Sequence, residues 1–97
     1  MDQTSVLQLL SDYKRTRGPH HGIRSLGIFG SMARDQAAPA SDVDIVVQLE
    51  IPDPYTLVHI REELEAILHL PVDIVRYRER MNPLLKARID REGKYVG

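Results

Sequence analysis

The chain has no cysteine, no tryptophan and a single phenylalanine. Without cysteine, disulfides and thiolate metal sites are excluded. With so few aromatic rings, stacking platforms for single-stranded nucleic acid are scarce. Neither sign of charge dominates: 13 Lys and Arg stand against 14 Asp and Glu, for a net charge of −1. The broad basic surface that grips a nucleic-acid backbone is therefore missing, and no direct nucleic-acid contact is expected. No apolar run approaches the roughly 18 residues that span a bilayer. The Met1 end shows no basic segment followed by an apolar stretch, the mark of a secretory leader. The expectation is a cytoplasmic protein that does not touch membranes.

What is present is an ordinary globular composition, 42% apolar and 28% charged over 97 residues. That suits one domain, residues 1–97, with one core. Ser5-Val6-Leu7-Gln8 has the form of a capping box, and Val6, Leu9, Leu10 and Tyr13 follow at helical spacing. The helix is expected to stop before Gly18-Pro19, leaving His20-His21 as an exposed loop pair rather than a metal site. Arg24–Phe29 reads as a short strand. Gly27 and Gly30 interrupt it, as glycines do where another backbone or a ligand comes close. Ser31 is expected to cap a short helix from Met32 to about Ala37 that includes Asp35. Residues 37–41 form a small-residue loop.

Asp42–Leu49 is a second, nearly continuous apolar strand, of the kind covered on both faces. Asp53-Pro54 starts a helix in which Leu57, Ile60, Leu64, Ile67 and Leu68 recur at spacings of three and four. Val72–Val75 is a third strand, and Asn82-Pro83 opens a last helix that ends near Gly93. Tyr95-Val96 could dock or fray. The order is α-β-α-β-α-β-α, an α/β fold with a small three-stranded sheet and about four helices.

Chemistry concentrates on the strands. Asp42 and Asp44 stand at i and i+2, a spacing that sends two strand side chains to one face. They precede Ile45-Val46-Val47, where charge is costly unless compensated. Asp73 is a third aspartate among aliphatics. If the third strand lies beside the second, all three carboxylates converge at one end of the sheet. Gathered there they would repel, and one would hold a proton unless cations were present. An all-carboxylate cluster with no Cys and no nearby His favours Mg²⁺ or Mn²⁺ over Zn²⁺. Two such ions roughly 3.5–4 Å apart can serve an in-line displacement. The alternative is structural: Asp42 could cap a loop and Asp44 pair with an arginine. At Gly30-Ser31, glycine lets a phosphate reach the backbone, the serine hydroxyl adds a donor, and Arg34 can swing to the same phosphates. The plain alternative is an N-cap with a solvated arginine. Arg76, Arg78 and Arg80 read by default as a solvated strand end; placed beyond Asp73, they could instead meet substrate phosphates or an acidic partner.

Taken together, Gly30-Ser31, Ser41-Asp42-Val43-Asp44 and Asp73 resemble the G-S…D-x-D…D pattern of the nucleotidyltransferase superfamily related to DNA polymerase β. The short form G-S-x-A-R…S-D-x-D-I resembles its minimal nucleotidyltransferase group. The resemblance implies the polymerase β-like fold with a mixed sheet. It implies that Asp42, Asp44 and Asp73 bind two Mg²⁺ ions, that Asp73 acts as the base, and that Gly30, Ser31 and Arg34 hold the triphosphate of ATP. One departure is Asp35, where the group usually has glycine. Many small members act as antitoxins that transfer AMP to a tyrosine of a HEPN-type ribonuclease toxin. That makes the expected partner a HEPN-type protein, in a hetero- or homo-oligomer, with Tyr13, Leu84 and Leu85 as candidate contacts. Two other readings remain: an antitoxin acting by occlusion without catalysis, and a transferase with a small-molecule or nucleic-acid acceptor.

Overall fold

The computed structural model of the chain describes residues 1–37 and 42–97. Most of the small-residue loop expected over 37–41, including Ser41 of the aspartate motif, lies outside the described residues. The elements are α1 (Gln3–His21), β1 (Ile23–Phe29), α2 (Gly30–Ala33), β2 (Val43–Leu49), α3 (Pro54–Leu68), β3 (Val72–Arg76), α4 (Pro83–Glu92) and β4 (Lys94–Val96).

The strands form one mixed sheet in the order β3-β2-β1-β4. β2 runs antiparallel to β1 and parallel to β3, and α3 supplies the crossover that a parallel pair requires. The sheet thus has four strands rather than the expected three. The C-terminal Lys94–Val96 pairs antiparallel with β1, Gly27 opposite Tyr95. Gly27 permits this pairing: a Cβ there would lie 2.5 Å from the Lys94 carbonyl oxygen and 3.0 Å from Tyr95 Cα. Three residues are too short to carry an alternating pattern, so this strand had no periodic signal.

Side chains alternate across the sheet. One face carries Leu26, Ile28, Val43, Ile45 and Val47, which pack with Val6 and Leu10 of α1 and Ile60 and Leu64 of α3 as the main core. The other face carries Val46, which joins Phe29 and Ile89 of α4 in a second, smaller cluster. β2 is apolar on both sides because helices cover both. The third helix starts as its sequence dictates: the Asp53 carboxylate accepts from the Tyr55 amide, and Pro54 takes the first turn. Asn82 does the same for α4, accepting from the amides of Leu84 and Leu85.

Helices α1 and α2 differ at their ends from what the sequence suggests. Helix α1 does not stop before Gly18-Pro19; it contains both and ends at Gly22, whose left-handed backbone (φ 66°) lets its amide reach the Gly18 carbonyl. The N-cap is Asp2, not the Ser5 box: its carboxylate accepts from the Ser5 amide. His20 and His21 accordingly close the helix, and His21 is nearly buried, its Nε2 3.0 Å from Glu63 of α3. Finally, Ser31 is not a cap. It lies inside α2, which begins at Gly30 and lasts one turn. Asp35 follows that turn in the left-handed region, φ 58°. Left-handed backbone is a reason for glycine, and aspartate is among the few other residues that accept it.

Candidate active site

The second face of the sheet positions the acidic residues. Asp44 of β2 and Asp73 of β3 are direct register partners. Neighbours in register on parallel strands project to the same side, so both carboxylates lie on the α4 face. Asp42 immediately precedes β2, exposed, two residues from Asp44. The Asp44 carboxyl is pushed above the usual carboxylate range. Burial is the largest cause and the charge of Asp73 the next; Asp42 adds to it, while Arg88 and Arg34 oppose it. The charges of Asp42 and Asp73 are thus both felt at the Asp44 carboxyl.

Gly30 closes the site from beside Asp44. Its φ is 72°, and a Cβ placed there would collide with the Asp44 carboxylate and come within 3.0 Å of Arg88 Nη2. Glycine is required at this position on both counts.

Helix α4 contributes two residues that sequence reasoning missed. Arg88 lies over the Phe29 ring, 5.5 Å from its centroid, and places Nη2 3.9 Å from Asp44 Oδ2. Glu92 accepts from the Gly30 amide at 3.1 Å and from Arg34 Nη1, which sits 3.0 Å from each carboxylate oxygen. Arg88 Nε donates to the same carboxylate at 3.3 Å. The signal for both was helical spacing: from Leu85, steps of three and four reach Arg88, Ile89 and Glu92, so the two charges share the inward edge with the buried isoleucine.

Gly30 and Arg34 are brought together, joined through Glu92. Ser31 is half-buried in the same turn. Asp35 is exposed and its backbone closes the turn through Met32. Leu84 is largely exposed and Leu85 half-buried on α4, while Tyr13 is buried and donates to Glu63.

Among the described residues no three acidic or histidine side chains converge on one cation-sized point. The donor set still suits Mg²⁺ or Mn²⁺. These ions take hard oxygen ligands, commonly from one or two carboxylates, and fill the other positions with water and substrate phosphate. Asp44 and Asp73 in register offer such a pair. The burial and like charge acting on Asp44 are what a divalent ion would relieve.

The family model described as "Polymerase beta, Nucleotidyltransferase" matches residues 13–96. The protein adenylyltransferase MntA of Thermococcus cleftensis is 37% identical over 92 residues, 94% of this chain and 92% of that protein. A solved structure assigned to a minimal nucleotidyltransferase superposes with a TM-score of 0.78 at 29% identity, covering 97% of this chain and 95% of the other. The complex of a tri-AMPylated HEPN toxin from Shewanella oneidensis with its MNT antitoxin matches with a TM-score of 0.71. There the identity is 21%, with 96% of this chain and 70% of that one covered, and the likeness is one of fold.

Proposed function

The chain belongs to the polymerase β-like nucleotidyltransferase family, and we propose that it transfers AMP from ATP to a tyrosine of a cognate HEPN-type toxin with the help of divalent metal. The observation that carries this reading is the register pairing of Asp44 with Asp73. It gives an all-oxygen donor pair beside a glycine turn that closes against Asp44. The adenylyltransferase name of the 37% identical relative supports the choice of AMP as the transferred group. The fold likeness to an MNT antitoxin bound to an AMPylated HEPN toxin supports the choice of partner.

In this mechanism Asp44 and Asp73, with Asp42 beside them, would hold Mg²⁺, and the ion would offset the charge of the triphosphate and of the departing pyrophosphate. Gly30, Ser31 and Arg34 seat the phosphates. Asp73, the exposed member of the register pair, takes the proton of the incoming tyrosine hydroxyl. The tyrosine oxygen bonds to the α-phosphorus, the bond from that phosphorus to the bridging oxygen breaks, and pyrophosphate leaves. Most of the rate comes from positioning and charge stabilisation, as in phosphoryl transfer generally.

The test incubates the chain with its HEPN-type partner, Mg²⁺ and ATP labelled on the α-phosphate. Label is expected on a partner tyrosine. Its absence with both Mg²⁺ and Mn²⁺ would overturn the reading.

A further inference from the structure

The Gly30 amide and the Arg34 guanidinium, proposed above to seat phosphate, already hold an anion of the chain itself. Glu92 accepts from the Gly30 amide at 3.1 Å. Arg34 Nη1 is 3.0 Å from both of its oxygens, Arg88 Nε is 3.3 Å away and Arg91 Nη2 3.7 Å. The side chain is only 11% exposed although it ends the last helix. Burial alone would raise its carboxyl; Arg34, the Gly30 amide and Arg88 outweigh that and hold it below the usual range. An amide and guanidinium donors converging on two oxygens are also what binds a phosphate.

We propose that Glu92 is an internal stand-in for phosphate, closing the seat formed by Gly30 and Arg34 until a polyphosphate displaces it. The inference rests on the functional reading above, which reserves those two residues for the triphosphate. One amide proton cannot serve two anions, and two anions in contact repel. Entry therefore requires Glu92 to leave. Its place at the end of α4 makes this a side-chain rotation rather than a helix shift. The apparent affinity for nucleotide is then the intrinsic affinity reduced by the fraction of molecules in which the seat is open. Arg88, tied to both Glu92 and Asp44, loses one of its two anions in the same event.

The test uses tripolyphosphate and Mg²⁺, because tripolyphosphate has neither a base nor an adenylyl group to transfer. Calorimetric titration compares the full-length chain with Glu92→Gln. The variant is expected to bind about tenfold more tightly, the effect of removing a charged competitor. In the unsubstituted chain, the Gly30 amide resonance is expected to move as tripolyphosphate replaces the carboxylate. Equal or weaker binding by a Glu92→Gln chain that still melts cooperatively would overturn the proposal and make Glu92 a structural brace. So would a Gly30 amide that stays in place at saturation, and that measurement decides alone if the variant does not fold. Tighter tripolyphosphate binding without AMP transfer would sustain this proposal and overturn the transferase reading. AMP transfer without tighter binding would do the reverse.

Discussion

Asp44 and Asp73, 29 positions apart in sequence, face each other in register across the parallel strands β2 and β3. Like charges directly opposite one another on a sheet are destabilising, and Asp44 is also half-buried. A protein under selection for stability alone would not retain the pair. In metal-free buffer, Asp44→Asn is therefore expected to stabilise the chain by roughly 1 kcal/mol, several degrees in melting temperature for a domain of this size. The same variant is expected to lose AMP transfer, and to lose the stabilisation expected when Mn²⁺ is added to the unsubstituted chain. Thermal melts with and without Mn²⁺ check all but the activity. A destabilised Asp44→Asn variant would indicate that the pair with Arg88 outweighs the repulsion.

Gly30 answers to backbone and neighbour together. Gly30→Ala puts a methyl group into the Asp44 carboxylate on a left-handed residue. The expected destabilisation is roughly 1–3 kcal/mol, with AMP transfer lost. A chemical denaturation curve together with the transfer assay checks it. An active Gly30→Ala enzyme would show that the turn can rearrange without harm.

A second polar cluster ties α1 to α3. Tyr13, Arg17 and His21 all meet Glu63, at 2.7, 2.9 and 3.0 Å. Hydrogen bonding from Arg17, opposed by partial burial and aided by Tyr13 and His21, holds the Glu63 carboxyl down to about 2 from 4.5. The Tyr13 hydroxyl moves the other way, raised by burial first and then by Glu63. A carboxyl lowered on folding contributes fully above its unfolded value and loses that contribution as pH falls towards its folded one. Solvent reaches a third of this side chain, so the contribution is modest. Glu63→Gln is expected to lose roughly 1–2 kcal/mol at pH 7, and the gap to the unsubstituted chain should narrow between about pH 4.5 and 2. Urea midpoints at pH 7 and pH 3 measure it; a gap that widens in acid would contradict the assignment.

β4 depends on the bare backbone of Gly27. Gly27→Val is expected to push Lys94–Val96 off the sheet while the main core survives, since the new side chain meets the Lys94 carbonyl. Hydrogen exchange should accelerate at the amides that pair β4 with β1 and change little in β2. Unchanged protection across that pairing would show that the strand can shift to accommodate a side chain.

The parts of this fold legible in sequence are those with a strong local cause. α3 shows its cap, its proline and its apolar stripe; β2 shows a run of apolar residues that only a doubly covered strand tolerates. The aspartates stood out because each is a charge in apolar company. The rest is tertiary. The length of α1 past Pro19 depends on Gly22 closing the last turn and on His21 finding Glu63 on another helix. Arg88 and Glu92 read as surface charges until α4 is laid on the sheet, with Ile89 facing Phe29 and Val46. β4 is too short to announce itself. Glycine was the more informative signal: of the two singled out in and beside β1, one admits the backbone of β4 and the other the carboxylate of Asp44.

The register pair of Asp44 and Asp73 is expected to bind a catalytic divalent ion. Crystals of the chain soaked with Mn²⁺ and a non-hydrolysable ATP analogue, measured at a wavelength where manganese scatters anomalously, test it directly. An anomalous peak is expected, bonded to oxygens of both Asp44 and Asp73, with the analogue's phosphates beside Gly30. A nucleotide-bound crystal with no manganese between those two carboxylates would contradict it.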